Sequence, residues 1–261
     1  MKKIVLIVTF LSIFLLTGCS NQTEQAAKQA KIEQQRNKQI KQNRQVWNKK
    51  VVAAKNVDQP NYQKYITNVP SGYKDENMSL GLLKNGNQAV VKAQVVNLQP
   101  EMGRLFTPET KATIYIEQVI SGDKALQGKT TKTEFSGGLS KARDYFNSFE
   151  GEYVGKDYGV KNPKQVIYTT NPTVPMPKIG QKMIIGIKKY HPETKDREKL
   201  YQKYGLTTQN SYTINNPEVT YWVEKAGKFK LNNPAFYQKQ NKNKYPKLFK
   251  VTKELNNKYG K

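Results

Sequence analysis

The stretch AVVKAQVVNL, Ala89 to Leu98, decides the fold class, because Val91, Ala93 and Val95 fall on one side of an extended chain and Lys92 and Gln94 on the other. A period of two in β-branched residues predicts a strand with one buried face. The pattern recurs downstream. Thr113 to Ile120 sets Ile114 and Ile116 against Thr113, Tyr115 and Glu117 and ends in the turn Ser121, Gly122, Asp123. Thr130 to Phe135 predicts a third strand, stopped by Gly137 and Gly138, and Gln181 to Lys188 a fourth, with Met183, Ile185 and Ile187 pointing one way. Tyr212 to Ile214, Val219 to Glu224 and Lys228 to Leu231 follow, the last two joined by Ala226 and Gly227 as a hairpin. Short strands with few convincing helices between them must close or be covered, so the expected fold is mainly β, a small antiparallel β-barrel.

The order of these pieces, with Gly128 and then Lys178, Ile179 and Gly180 between the strands, resembles a small OB-type barrel module found in Gram-positive surface proteins and lipoproteins of unassigned activity. The resemblance covers about 140 residues, at the level of strand pattern and glycine placement. It implies a barrel and carries no function, since such barrels host many. The stretch of about 139–178 departs from the pattern as a long insertion.

Working outward, Pro246 followed by Leu248, Val251 and Leu255 at spacings of three and four predicts a basic amphipathic helix over about 246–259, with Lys247, Lys250, Lys253 and Lys258 outside. On the other side the globular part, 58–261, is approached through Tyr62, Tyr65, Ile66, Val69 and Tyr73. Before it, residues 19–57 form a basic polar stalk without Gly or Pro, in which Ile32, Ile40, Val46 and Trp47 are isolated apolar positions. These are too sparse to define a buried stripe, so a solvated helix and an extended charged tether both remain open. A full helix would hold the domain ~55 Å from its origin and a flexible coil ~35 Å.

Residues 1–18 have the form of a signal peptide. Lys2 and Lys3 precede an apolar run from Ile4 to Leu16, shorter than the roughly 20 residues that a spanning helix needs. Leu16, Thr17, Gly18 and Cys19 then resemble the lipobox of bacterial lipoproteins. The resemblance implies that Cys19 becomes the first residue of the mature chain and carries palmitate-type acyl chains. Each buried methylene adds ~0.8 kcal/mol of membrane affinity, so the chain would sit lipid-anchored on the extracytoplasmic face of the cell membrane. Cys19 is the one cysteine, which excludes an intramolecular disulfide. An excess of Lys over Arg, with abundant Asn, Gln, Ile and Tyr, points to an AT-rich genome and a Gram-positive host.

The formal charge is +24 over 261 residues. Outside a membrane the available polyanions are lipid head groups and phosphate-containing wall polymers, and attraction to either is physically reasonable. The same lysines also serve as generic solubilising cations. Specific nucleic-acid recognition is not expected.

Catalytic signals are weak. His191 is the single histidine, too few for an ordinary zinc site, and no Gly-x-Ser-x-Gly segment nominates a nucleophile. Gly151, Gly155 and Gly159 follow no strand and indicate no phosphate loop. Asp144, Glu150, Glu152 and Asp157 lie beside Tyr145, Phe146, Phe149, Tyr153 and Tyr158, as a carboxylate-based wall or glycan hydrolase would require, but a solvated loop with packed aromatics explains the same residues and is the preferred reading. The candidate binding face is Tyr221, Trp222, Lys225 and Phe229, with Tyr237, Lys239, Lys242 and Tyr245 a second aromatic and lysine group. The functional expectation is a non-catalytic binding or accessory module of the cell envelope, with anionic wall polymers or a membrane protein complex as partner and no metal or cofactor. The alternative is the hydrolase.

Overall fold

The computed structural model describes residues 2–57, 73–147, 151–241 and 243–260, with side chains described for Glu24 and from Ala26 onward. The approach through Tyr62, Tyr65, Ile66 and Val69 lies outside these residues, as do Phe149, Glu150 and Lys242. The elements are α1 (Lys2–Ala53), β1 (Lys55–Val57), α2 (Leu80–Asn85), β2 (Ala89–Pro100), β3 (Glu109–Ser121), β4 (Thr130–Lys141), α3 (Ala142–Tyr145), β5 (Val166–Thr170), β6 (Lys182–Lys189), α4 (Lys195–Lys203), β7 (Tyr212–Ile214), α5 (Pro217–Thr220), β8 (Tyr221–Lys225), β9 (Lys228–Leu231) and α6 (Pro246–Tyr259). Nine strands among the described residues form one curled half-barrel sheet in the order β1-β5-β4-β3-β2-β6-β8-β9, with β7 paired to β6. The protein is mainly β, and the sheet is mixed because β1 runs parallel to β5.

The strand that opened the sequence reading is the spine. β2 pairs antiparallel with β3 on one side and β6 on the other. Register shifts at Val90/Val91, Lys92/Ala93 and Val95/Asn97 bend it, which is how one long strand coils enough to start a barrel. Its alternation holds. Val91, Ala93 and Val95 join Ile114, Ile116, Phe135, Met183, Ile185, Tyr221 and Val223 in the interior core. Val90 faces outward with Ile184, Trp222, Phe229 and Leu231, and α6 covers that face with Leu248, Val251 and Leu255.

β4 does not stop at its glycines. It pairs with β3 as far as Ser136, then turns and pairs with β5 from Gly137. Both glycines have positive φ, +98° and +111°. A Cβ on Gly138 would collide with the Thr110 hydroxyl, so the bend needs glycine for space as well as for angle. The expected insertion is therefore structural in part: β5 lies within it, and Ala142, Phe146, Val160 and Ile167 close a satellite core with Val57 of β1.

α1 is one unbroken helix, which decides between the two stalk conformations, but its last turns are not a solvated spacer. Ile40 and Trp47 are buried in the interior core. Arg36 lies 3.8 Å from the centre of the Tyr115 ring. Asn43 Nδ2 donates to Val96 O at 3.0 Å and Arg44 Nε to Ile179 O at 2.8 Å. These residues recur at helical spacing, so the docking stripe exists, built from amphipathic side chains that do not register as apolar. Burial of Ile40 and Trp47 contributes about 1.5–3 kcal/mol each. The helix approaches this closely because position 180 is glycine: a Cβ there would strike Arg44 and Ile40. Among the described residues no helix is long and apolar enough to cross a membrane.

Candidate functional site

The expected aromatic face does not assemble. Tyr221, Trp222 and Phe229 are buried while Lys225 is exposed. Tyr221 points inward onto Phe135, ring centres 5.5 Å apart, whereas Trp222 points outward and donates from Nε1 to Thr252 Oγ1 at 2.9 Å. Strand alternation sends neighbours to opposite faces, and here both faces are covered, so aromatic residues on β8 and β9 became core on two sides. Tyr237 is 44% exposed and packs edge-on against Phe249. His191 is exposed. Glu152 and Asp157 are also exposed, while Asp144 is half-buried on α3. Leu16, Thr17, Gly18 and Cys19 lie on the α1 backbone, their side chains outside the described residues. Among the described residues no three His, Cys, Asp or Glu side chains are placed to hold a metal ion.

A different constellation forms on the outer surface of β2, β3 and β4. Lys111 sits opposite Gln99 on one side and Glu134 on the other, and Glu101 N donates to Glu109 O, so the ladder continues to the pair Glu101 and Glu109. Register thus places Glu101, Glu109 and Glu134 on one face as close neighbours. Arg104, in the connection that follows β2, folds back among them. Its Nη1 donates to Glu101 Oε2 at 2.6 Å and to Glu134 Oε1 at 2.9 Å.

Three carboxylates around one guanidinium cannot all be ionised cheaply. Burial pushes the Glu101 carboxyl up to about 8, with Glu134 adding to the shift and Arg104 opposing it. Burial likewise raises Glu109 to about 7 against the pull of Arg104. The carboxylates hold Arg104 firmly charged in spite of its burial. Only 1% of the Glu101 side chain is exposed, and its Oε1 has no hydrogen-bond partner. Near neutral pH the cluster therefore holds protons that ordinary carboxyls have lost.

The chain leading out of α4 roofs this cluster. Lys111 Nζ donates to Tyr204 O at 2.6 Å, Lys132 Nζ to Gly205 O at 2.6 Å, and the Tyr204 hydroxyl to Met102 O at 3.2 Å. Tyr201 of α4 stacks on Tyr190 at 4.2 Å and lies 5.5 Å from the Arg104 guanidinium, and burial raises its phenol. Beside the roof a cleft of about 330 Å³ opens, lined by Glu109, Glu134, Glu218 and Tyr201 with Phe135 and Asn171 among the other walls. In a chain with 44 lysines and arginines, none of those among the described residues lines this cleft. Carboxylates, a phenol, an amide and an aromatic ring can bind a cation or a hydroxylated ligand, or move a proton at a bound group.

A groove of about 680 Å³ runs between α1 and the sheet over Trp47, Val51, Tyr168 and Met176, where the helix is seated. No protein-family model and no curated protein matches the chain, so its functional reading rests on the residues themselves.

Proposed function

We propose that the protein is a lipid-anchored, extracytoplasmic lipoprotein whose half-barrel is a non-catalytic binding or accessory module of the cell envelope. The observation that carries this reading is the course of α1. Residues 26–35 are exposed, and from Arg36 onward the helix is built into the barrel. With acyl chains on Cys19, about 17 residues of unbroken helix, ~25 Å, separate the membrane surface from the docked portion. Five strands support the OB-like reading of the barrel: β2, β3 and β4 form a meander, β6 returns antiparallel to β2, and β7 pairs antiparallel to β6 and meets β4 through a parallel bridge.

Charge supplies the partner class. From Lys225 to the C-terminus there are eleven lysines and one carboxylate, Glu254. Lys228 and Lys230 on β9 and Lys247, Lys250, Lys253 and Lys258 on α6 are exposed, a surface suited to phosphate-bearing wall polymer. The direct experiment is intact mass and fractionation. The native chain is expected to carry acyl mass on Cys19 and to sediment with membranes, and Cys19→Ala to appear in the soluble fraction. A bare thiol, or undiminished membrane retention of the variant, refutes the anchor.

A second reading has one specific observation behind it, the raised carboxyls of Glu101 and Glu109 next to a cleft, as a carboxylate-based hydrolase would use. Release of soluble fragments from purified wall by the wild type and none by Glu109→Gln would carry it. No release by the wild type ends it.

A further inference from the structure

Among the described residues the seam between β4 and β7 is joined at one end only. Lys132 N donates to Asn210 O at 3.0 Å, Thr131 Oγ1 also donates to Asn210 O, and Lys132 bridges Ser211 in parallel. Beyond that bridge the ladder between β4 and β7 does not continue among the described residues. Each strand leaves for its own reason. β4 turns at Gly137 toward β5. β7 ends at Ile214, because Asn216 takes a left-handed conformation and Pro217 starts α5.

The backbone direction at the opening follows from the bonds around it. Glu109 O accepts from Glu101 N, just past the end of β2, and Gly137 N donates to Pro108 O, so the edges of Phe135 and Gly137 face β3. Those of Glu134 and Ser136 therefore face the seam, as Lys132 does. Across the gap, Ser211 O and Asn215 N bond toward β6, which leaves the edge of Ile214 turned to the same seam. The 330 Å³ cleft is this opening: Glu134, Phe135 and Ser136 form one wall and Thr213 and Ile214 the other. Unused strand edges accept an added strand. Glu134 already shares its charge with Arg104 and Glu109 is raised to about 7, so Glu218, with the ionised fraction of Glu109, sets the charge that such a strand must carry.

We infer that the open end of the β4–β7 seam receives a short extended peptide segment, paired through its main chain to the edge of β4, with a basic side chain held among Glu109, Glu134 and Glu218. Phe135 and Tyr201 line the same cleft. The partner is thus a protein with an exposed basic strand or tail, which selects an accessory role for the module. The inference rests on the binding-module reading and not on the lipid, so the mass and fractionation result stands apart from its test.

The test is fluorescence anisotropy on the full chain in detergent with a labelled, end-blocked peptide Val-Lys-Val-Lys-Val. Three controls separate the modes: Val-Glu-Val-Glu-Val reverses charge, N-methylation of alternate amides keeps charge and blocks strand pairing, and butylamine supplies the cation alone. Expected is saturable binding of the lysine peptide, about tenfold or more weaker for the N-methylated peptide and for Glu218→Gln. Glu218 is on α5, apart from the Arg104 contacts, so this variant keeps its fold, which a matching thermal melt verifies. Equal binding of the glutamate peptide, full binding of the N-methylated one, complete displacement by millimolar butylamine, or unchanged affinity in Glu218→Gln each overturns the proposal.

Discussion

α4 and α6 both lie on the outside of the same curled sheet, and they are held there by opposite means. α6 presents Leu248, Val251 and Leu255, all buried, to Val90, Ile184, Trp222 and Phe229. Polar contacts fasten it around that apolar face: Asn256 bridges the backbone of Phe229, Thr252 Oγ1 accepts from Trp222 Nε1, Asp75 accepts from Leu248 N, and Lys247 Nζ donates to Glu76 O. α4 buries no residue fully. It and its following turn are fastened by lysine–carbonyl bonds, stacked tyrosines and the charged cluster beneath. One helix is attached by removing apolar surface from water, which is insensitive to pH and salt. The other is attached through groups that titrate and are screened.

Trp222→Ala tests the apolar side most severely. It removes the largest fully buried side chain and its bond to Thr252, and about 3–5 kcal/mol of unfolding free energy is expected to go with it, read from urea melts at any pH between 6 and 9. A loss under 1 kcal/mol would break the claim that α6 sits on the dry face. On the charged side Arg104→Met should cost about 2–3 kcal/mol, because Glu101 and Glu134 lose their shared partner, and neutralising Glu101 as well (Glu101→Gln) should restore part of it.

The pH response sharpens the contrast. Glu101 and Glu109 hold protons up to about 8 and about 7 in the folded chain, well above the 4.5 of an ordinary glutamate. The folded state therefore binds more protons than the unfolded one between those limits. The associated stability is full below pH ~4.5 and is lost as pH rises through 7 and 8. The midpoint of urea unfolding should fall from pH 6 to pH 9 by the equivalent of about 1–2 kcal/mol, and Glu101→Gln should flatten the trend. The smallest effect is in salt. Raising NaCl from 0.1 to 1 M should speed amide hydrogen exchange in 195–205 a few-fold and leave 248–256 unchanged.

The two regions also differ in how far the sequence disclosed them. α6 was legible because Leu248, Val251 and Leu255 keep helical period beside a Pro start. The strands were legible where one face was apolar, as in Val91, Ala93 and Val95. α4 was missed, since KDREKLYQK offers no apolar stripe, and so was β5, whose VIYTT is only five residues inside a polar run. The carboxylate cluster had no local signature. Glu101, Glu109 and Glu134 meet through strand register, which depends on where β2 bulges and where β3 begins. Tyr221 and Trp222 misled for the converse reason: alternation said that they diverge, but not that α6 would cover the outward one.

The absence of a side chain at Gly180 has a mechanical consequence. Because Ile40, Arg44 and Trp47 settle against the barrel there, a pull on the N-terminal end of α1 is not taken up by a soft joint. It loads the helix-to-sheet contacts in shear and passes the tension directly into β2 and β6. Any larger residue at position 180 would convert a rigid boom into a swivel.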